Sequence, residues 1–364
     1  MSIFLQPTVS SPASEGRGTR ESWGARGWLL LWVATAIFTA WVSPNRARAG
    51  EAMAEDKVIV SGASGQLGGL TVKALLARGV PAKNLILVSR TPTALAEYAK
   101  LGASTRFGDF SKPESLRSAY AGGTRMLLIS IGGGAGPRVD AHKRAIDAAV
   151  AAGVKQIAYT SWVAISRGER SGIAADHYQT EEILKRSGVA WTFLRNSVYS
   201  EGLLTQAARM VADGSAKVPA HEIRVGYVTR EDCAAAAAAV LSPGHDNKTY
   251  DITGPELIGV REIAAAASEA TGKEIKVTAA EEGTGEPRGF LSPALEVFSR
   301  SVQELTGRPA TSVRAFLSAN RGKLLAGDAR QTSAGFEVHR IPEVDPHALH
   351  LRELVERFRA HLTS

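Results

Sequence analysis

Two pairs of side chains in the stretch Ala174–Asn196 have types and spacing suited to proton chemistry. His177 is followed four residues later by Glu181, and Tyr178 is followed by Glu182. Residues four apart meet on one face of a helix. A lysine at that distance from a tyrosine would make the phenol an acid or base, whereas a carboxylate raises the phenol's pKa. The Tyr178–Glu182 pair is therefore excluded as an acid–base pair.

His177 is the better proton donor, because the ordinary pKa of an imidazole lies near neutrality. Glu181, one helical turn on, would favour the charged ring. The alternative is that the two side chains form only a structural pair on the helix surface. Together with Tyr199, described below, His177 is a candidate catalytic residue.

The segment "VIVSGASGQLGG" carries three glycines between an apolar run and a helical pattern. Such glycines permit a tight turn, a close approach of backbone to a pyrophosphate and tight packing of helix on strand. The N-terminus of the helix then offers N–H groups to phosphate. The segment predicts a dinucleotide site formed by Gly62, Ser64, Gly65, Gln66, Leu67 and Gly68.

The residues after the second and third apolar runs indicate which dinucleotide binds. An acidic residue after the second run would bind the ribose 2′-hydroxyl of NAD, but this chain has Ser89 and Arg90 there. The planar guanidinium of Arg90 suits a 2′-phosphate, so NADP is favoured over an arginine that merely caps a strand. Asp109 and Phe110 could flank the adenine, or be a loop acid and a core aromatic residue.

Further candidates follow later strands. Ser130 and Ile131 should pass beside the nicotinamide ribose, and Ser161 either contacts the cofactor or caps its strand. The flat rings of Trp162 and Tyr199 could stack on nicotinamide or substrate, or pack in the core. The predicted substrate-binding residues are Trp162, Asn196 and Tyr199.

The elements that must position these residues alternate between short apolar runs and helical stretches. Strands separated by helices of ten to sixteen residues predict an α/β fold, a doubly wound parallel sheet of the Rossmann type. Ligands bind at the carboxyl ends of such strands. The predicted sheet strands are "KVIVSG", "NLILVSR", "STRFGDF", "RMLLIS", "KQIAYTS" and "AWTFLRN".

The pattern loosens after Asn196. Residues 222–228, "EIRVGYV", predict a strand that leads into a helix capped by Thr229, and "KTYDITGPE" and "EIKVTAAE" predict two more. Residues 283–325 look helical and rich in loops. The domain prediction is a leader over 1–52, a dinucleotide-binding domain over 53–324 with a small C-terminal substrate lobe, and a tail with an amphipathic helix over 325–364. The lobe is assigned largely to residues 197–222 and 255–324.

Composition excludes several classes of protein. Hydrophobic residues make up 44% of the 364, enough for a sizeable core, and the net charge is +7 without a block of basic residues, so no nucleic-acid partner is expected. The chain has a single cysteine, Cys233, which excludes an intrachain disulfide. No metal site is predicted.

The first fifty residues resemble a secretory signal, because the uncharged run Gly27–Val42 precedes the small-x-small sequence at residues 47–49. The run could also be an uncleaved membrane anchor. The competing interpretation is a start at Met53, directly before a strand. The expected location is therefore cytoplasmic with a start at Met53, and otherwise exported or anchored.

Together these motifs resemble the NmrA-like branch of the atypical short-chain dehydrogenases, and most of all its type-2 NADPH:quinone oxidoreductases. The resemblance covers about Lys57 to Leu324 and depends on "SGASGQLGG", "VSRTP", "GDF", "AHKRAIDAAVAAGVKQIAYTS", "DHYQTEEILKRSGVAWTFLRN" and "LTGRPATSVRAFL". It departs from the family after "LRN", where a Gly-Trp-Tyr run is expected and "SVYSEG" stands.

The resemblance implies an NADPH-dependent reductase of a quinone or a similar flat electrophile, acting without metal or flavin. It also implies a monomer or homodimer. Membrane contact is expected only through the leader, if it is retained. A quinone needs no enzyme acid in the hydride step, which agrees with the missing Tyr–Lys pair. The alternative from the same family is a non-catalytic NADP-sensing regulator that binds a protein partner.

Overall fold

The computed structural model describes residues 56–132, 137–280 and 291–326. The leader, most of the "IGGGAG" segment and the amphipathic helix of the tail lie outside these residues. Within them, no helix is long and apolar enough to cross a membrane, and no group of three or more His, Cys, Asp or Glu side chains could hold a metal ion.

A seven-stranded parallel sheet forms the centre of the fold, in the order β3-β2-β1-β4-β5-β6-β8. A second sheet pairs β7 with β9, also in parallel. The strands are β1 Val58–Ser61, β2 Leu85–Ser89, β3 Ser104–Phe107, β4 Arg125–Leu128, β5 Gln156–Trp162, β6 Ala190–Asn196, β7 Ser215–Val218, β8 Lys248–Ile252 and β9 Lys276–Ala279.

Eleven α-helices lie in the described residues. They are α1 Gln66–Ala77, α2 Ala96–Lys100, α3 Pro113–Tyr120, α4 Pro137–Ala151, α5 Gly172–Lys185, α6 Leu203–Asp213, α7 Arg230–Val240, α8 Val260–Thr271, α9 Ser301–Thr306, α10 Val313–Ala319 and α11 Arg321–Ala326. Helices cover both faces of the large sheet, which confirms the doubly wound α/β prediction.

The central strands form where apolar residues follow one another without alternation. All residues of β1 and β2 are buried, as expected for strands covered on both faces. On one face, α1 and α7 pack together over a cluster that includes Val60, Leu87 and Leu194. On the other, α3, α4 and α5 pack in sequence over a second cluster with Tyr159.

A third apolar cluster lies in the C-terminal part of the chain and includes Leu204, Ile263, Leu295 and Leu317. Trp162 packs against it from the end of β5. This cluster draws its members mainly from α6, α8, α10 and α11. The large sheet and this lobe therefore bury separate cores, and β5 ends where the two meet.

The prediction of a strand over residues 222–228 is wrong. That segment makes only isolated bridges, Tyr199↔Val228 and Val225↔Ile258. Its backbone bonds to scattered single residues instead: the N–H of Val225 donates to the carbonyl of Ile258 at 2.9 Å and that of Arg224 to Glu296 at 3.1 Å. The lobe's real strand is β7, in "SAKV", which the sequence analysis did not identify and which pairs with β9.

The predicted helix cap at Thr229 is confirmed, because its hydroxyl oxygen accepts from the backbone N–H of Asp232 at 3.0 Å. The carboxylate of Asp232 is fully buried and also accepts from the N–H of Thr311 at 2.8 Å. It pairs with Arg308 at 2.6 Å. Through Asp232, the start of α7 therefore binds the segment between α9 and α10, which contains Arg308 and Thr311.

Candidate functional site

The glycine turn has the conformation that a phosphate site requires. Gly62 follows β1 with φ +94°, in the left-handed region, and its N–H donates to the carbonyl of Val88 at 3.0 Å. Gly65 precedes α1 with extended backbone and without a side-chain cap, and the first turn of α1 has no acidic residue. Helix geometry leaves the first N–H groups of α1 without carbonyl partners, so this terminus suits an anion.

Gly68 lets α1 lie directly on the turn. A Cβ at this position would overlap the carbonyl oxygen of Gly62 and lie 2.8 Å from the Cα of Ala63. Any side chain would therefore push the helix away from the turn. The spacing of the predicted motif is thus a steric requirement of the fold, and Leu67 beside it is buried in the core.

A pair of hydroxyls joins the glycine turn to the end of β2. Ser64 and Ser89 are hydrogen-bonded at 2.6 Å, and the N–H of Thr91 donates to Ser89 Oγ at 2.9 Å. Arg90, between them, has an exposed side chain. The guanidinium is therefore exposed to solvent at the end of β2, where the adenosine ribose is predicted to lie.

Asp109 and Phe110 follow β3 beside this edge. Hydrogen bonds from the N–H and hydroxyl of Ser111, with the charge of Arg90 nearby, hold the pKa of Asp109 below its usual value. The ring of Phe110 meets His142 edge-on at 6.4 Å and packs with the second apolar cluster. Phe110 is thus partly buried against this cluster, and its predicted place beside the adenine remains a prediction.

The backbone that leaves β4 is held on both sides. The N–H of Ser130 donates to Thr160 Oγ1 at 2.8 Å. The N–H of Ile131 donates to His142 Nε2 at 3.1 Å, and its carbonyl accepts from Arg138 Nε at 2.7 Å. Two buried side chains of α4 therefore set the position of the peptide where the nicotinamide ribose is predicted.

A chain of buried polar rings runs below this edge between α4, β5 and α5. Tyr159 Oη lies 3.3 Å from His142 Nδ1 and 2.9 Å from His177 Nδ1. All three side chains are almost completely buried. Burial, with the positive charge of Arg138 nearby, lowers the pKa of His142 to about 3 and that of His177 well below its usual value.

The predicted pairing of His177 with Glu181 is wrong. Glu181 is fully buried and accepts from Ser161 Oγ at 2.6 Å. It also binds the guanidinium of Arg195 through both oxygens, at 2.9 and 2.7 Å. Glu181 is therefore engaged elsewhere, and burial lowers the pKa of His177, so His177 does not fit the predicted role of a charged proton donor.

Tyr178 and Glu182, the pair that the sequence analysis excluded, each contact a different residue. Tyr178 lies under the guanidinium of Arg170, whose central carbon is 4.0 Å from the ring centroid. Glu182 pairs with Lys185 at 2.8 Å. Neither contact joins the phenol to the carboxylate, so the structure gives this pair no acid–base function.

The ion pair of Glu181 and Arg195 lies directly over the ends of two strands. Ser161 and Arg195 are neighbours in the β5–β6 register. The carboxylate of Glu181, on α5, can therefore bind both. Arg195 Nη1 also donates to Ser166 Oγ at 3.1 Å, and Ser166 donates to Asp251 at 2.5 Å. Burial raises the pKa of Asp251. The sequence analysis missed Arg195, and its signal was a basic residue inside an otherwise apolar strand.

The three predicted substrate residues lie near one another but differ in surroundings. Asn196 Nδ2 donates to Tyr199 Oη at 3.4 Å, while its Oδ1 is buried without a hydrogen-bond partner. The Tyr199 ring is covered by the guanidinium of Arg230 at 4.5 Å, and burial raises the pKa of its phenol. Tyr199 therefore stays protonated near pH 7, and its predicted role in catalysis or stacking remains a prediction. Trp162 is half-buried against the lobe.

Stability should fall as the solution is acidified below about pH 6.5, because unfolding lets His142 and His177 take up protons. Their pKa values are lowered in the folded state, so this stability is present above 6.5 and is lost as the pH falls towards about 3. Each proton contributes about 1.4 kcal/mol per pH unit. Urea unfolding at a series of pH values measures the slope. His142→Gln should reduce it, and an unchanged slope would contradict the assignment.

Comparisons with known proteins agree with this geometry. A family profile described as NAD(P)H-binding matches residues 62–243. Quinone oxidoreductase 2 of Escherichia coli (strain K12) is 36% identical over 219 residues, which are 60% of this chain and 76% of that protein. The NAD(P)H azoreductase of Xenophilus azovorans is 26% identical over 287 residues, covering 72% and 97%.

Solved structures give the same result. The crystal structure of an NADPH-dependent quinone oxidoreductase from Escherichia coli, complexed with NADPH, superposes with a TM-score of 0.65 at 31% identity, covering 72% of this chain and 99% of that one. The matched region includes the glycine turn and the ends of β2 to β6. The chain therefore belongs to the NAD(P)H-binding family, in the NmrA-like branch of the short-chain dehydrogenases that its motifs resemble.

Proposed function

We propose that this protein is an NADPH-dependent oxidoreductase that transfers hydride to a quinone or a similar flat electrophile. The observation that carries the proposal is the state of the sheet edge, where Glu181 is bound by Arg195 and Ser161 and the imidazole of His177 is neutral. Neither Glu181 nor His177 offers a charged acid to a reacting carbonyl. The relatives named as a quinone oxidoreductase and an azoreductase support reduction of flat, conjugated acceptors.

The residues present fit a dinucleotide. Gly62 makes the left-handed turn and Gly68 lets α1 pack directly on it, and α1 begins there without an acidic residue. Arg90 is exposed beside the turn, where it can bind a 2′-phosphate. The buried, unpartnered Oδ1 of Asn196 is an acceptor suited to an amide N–H. When bound, the nicotinamide supplies the hydride.

Ser161 has a restricted role in this reaction. Its hydroxyl hydrogen points to the carboxylate of Glu181 at 2.6 Å, so its oxygen can only accept a hydrogen bond from a ligand. It therefore orients a donor group and cannot polarise a substrate carbonyl. This favours acceptors whose oxygen is already able to hold negative charge, as in a quinone.

The decisive assay follows the absorbance of NADPH with the purified protein and a panel of quinones, azo dyes, aldehydes and ketones. We expect turnover with quinones or azo dyes and about a hundredfold less with simple ketones, because ketones need a proton donor in the hydride step. Tight NADPH binding without turnover on any member would overturn the proposal in favour of a regulator that senses NADP.

Arg90→Glu should weaken NADPH binding by about 10- to 100-fold, because a charged hydrogen bond to phosphate is worth about 1.5–3 kcal/mol. Binding of NADH, which has no 2′-phosphate, should change by about threefold or less. Titration of both cofactors against the wild-type and variant proteins measures the two losses. Equal losses for NADPH and NADH would refute the assignment of Arg90 to the 2′-phosphate.

A further inference from the structure

The hydrogen bonds around His142 determine which of its nitrogens carries the proton. The N–H of Ile131 donates to Nε2 at 3.1 Å. Nε2 accepts with its lone pair and therefore carries no proton. A neutral imidazole has one N–H, and burial lowers the pKa of His142 to about 3. The proton of His142 is therefore on Nδ1.

The direction of the next bond follows. His142 Nδ1 lies 3.2 Å from Thr180 Oγ1 and 3.3 Å from Tyr159 Oη. Thr180 donates its own hydrogen to the carbonyl of Asp176 at 2.8 Å, so it accepts from Nδ1. Tyr159 faces the same N–H and cannot donate to it. The phenol hydrogen of Tyr159 goes to His177 Nδ1, at 2.9 Å, because Thr180, its other hydrogen-bond partner, already accepts from His142.

His177 is thus an acceptor at Nδ1, and its proton is on Nε2. The charged groups facing this region are Arg138 from α4 and Asp176 and Glu181 from α5, while β5 contributes only the phenol of Tyr159. Glu181 is bound by Arg195 from β6. Burial and the nearby positive charge keep the ring neutral, so the tautomer is fixed.

We propose that His177 acts as a neutral Nε2–H hydrogen-bond donor to the acceptor oxygen of the substrate, with its tautomer set by the peptide of Ile131 through His142 and Tyr159. This inference rests on the proposed function and makes it more specific. His177 lies one helical turn before Glu181, which touches Ser161 at the carboxyl end of β5, and Tyr159 lies two residues before Ser161 on the same strand face. The ring therefore lies directly below the edge where ligands bind, with 3% of its surface exposed.

A neutral hydrogen-bond donor at His177 restricts the class of substrate that can accept the hydride. A C–H bond of NADPH breaks and a bond from hydrogen to the quinone forms, which oxidises the cofactor to NADP⁺ and reduces the quinone. The electron pair moves onto the quinone oxygen that accepts from His177, which keeps its proton. The hydroquinone anion then takes a proton from water. A neutral imidazole polarises an oxygen without giving up its proton, so unactivated ketones are poor substrates.

Two variants test the position of the donor. His177→Gln puts an amide N–H near the place of Nε2, whereas His177→Asn reaches only to the place of Nδ1. We expect kcat with a quinone to stay within about threefold for the glutamine variant and to fall about 10- to 100-fold for the asparagine variant. The dissociation constant of NADPH should not change in either. Equal activity of the two variants would overturn the proposal.

A measurement on the wild-type protein keeps the tautomer testable without turnover. The ¹⁵N NMR signals of the His177 ring should show a protonated Nε2 and an unprotonated Nδ1, with and without NADP⁺. Tyr159→Phe should release this preference. A protonated Nδ1 in the wild type would overturn the proposal even if quinones are reduced, whereas an Nε2–H tautomer without any turnover would leave the hydrogen-bond chain intact and refute the proposed function.

The pH profile provides a further readout. Because His177 donates a hydrogen bond and not a proton, kcat should be flat from about pH 6 to 9. An imidazolium acid with its ordinary pKa would lose activity as the pH rises through this range. A fall in kcat with that shape, absent from His177→Gln, would overturn the assignment of a neutral donor.

Discussion

Replacing Gly68 by alanine is expected to raise the dissociation constant of NADPH at least about a hundredfold. The new Cβ would overlap the carbonyl oxygen of Gly62 and press on the backbone of Ala63. Both contacts are with backbone, which cannot turn aside as a flexible side chain could. Relief requires α1 to move away from the turn, and the helix N-terminus then no longer points at the pyrophosphate. Fluorescence titration with NADPH measures the loss.

The same substitution should lower stability, because forcing atoms into a packed site costs about 1–3 kcal/mol. Gly69→Ala is the matched control in the same helix. A Cβ at Gly69 meets its nearest atom, the carbonyl oxygen of Ala63, at 3.9 Å. Alanine is about 1 kcal/mol better than glycine inside a helix, so this variant should be more stable and should bind NADPH normally. Wild-type binding by Gly68→Ala would contradict the close approach of α1.

Replacing Arg195 by methionine is expected to destabilise the protein by about 3–5 kcal/mol. Glu181 has no exposed side-chain surface, and Arg195 binds both of its carboxylate oxygens. Removing the arginine leaves a buried charge with only the hydroxyl of Ser161 as a partner, and an unpaired buried ion carries a penalty of that size. Urea unfolding measures the loss of free energy.

Two controls separate this effect from the loss of packing. The double variant Arg195→Met/Glu181→Met removes both charges and should recover most of the stability, since an apolar pair of similar volume can replace a buried ion pair. Lys185→Met breaks the partly exposed pair with Glu182 and should cost at most about 1 kcal/mol. A double variant no more stable than Arg195→Met would show that charge burial is not the cause.

Much of the fold was determined by local sequence. Apolar runs without alternation marked the strands of the large sheet, because a strand buried on both faces needs apolar residues at every position. The glycine spacing marked the turn before α1, since only glycine avoids the clash at Gly68 and tolerates the backbone of Gly62. Thr229 marked the start of α7, because a hydroxyl can satisfy a first-turn N–H. Each of these depends on neighbours within a few residues.

Local pattern was insufficient where the partner lies far along the chain. Residues 222–228 alternate like a strand, yet no strand pairs with them, and their backbone hydrogen bonds go to single residues such as Ile258 and Val198. The short segment of β7 has little apolar content, and only its pairing with β9 makes it a strand. Whether a segment joins a sheet depends on an edge that the segment itself does not specify.

The site shows the same division. The sequence by itself determined that a nucleotide-binding turn precedes α1 and that no Tyr–Lys pair stands on α5. Helical spacing suggested that Glu181 would meet His177, but the tertiary structure decided otherwise. β6 brings Arg195 beside Ser161, and the carboxylate of Glu181 binds this cation and this hydroxyl instead of the imidazole. The tautomer and charge of His177 likewise depend on Tyr159, His142 and Ile131, since hydrogen bonds and burial from three separate elements set them.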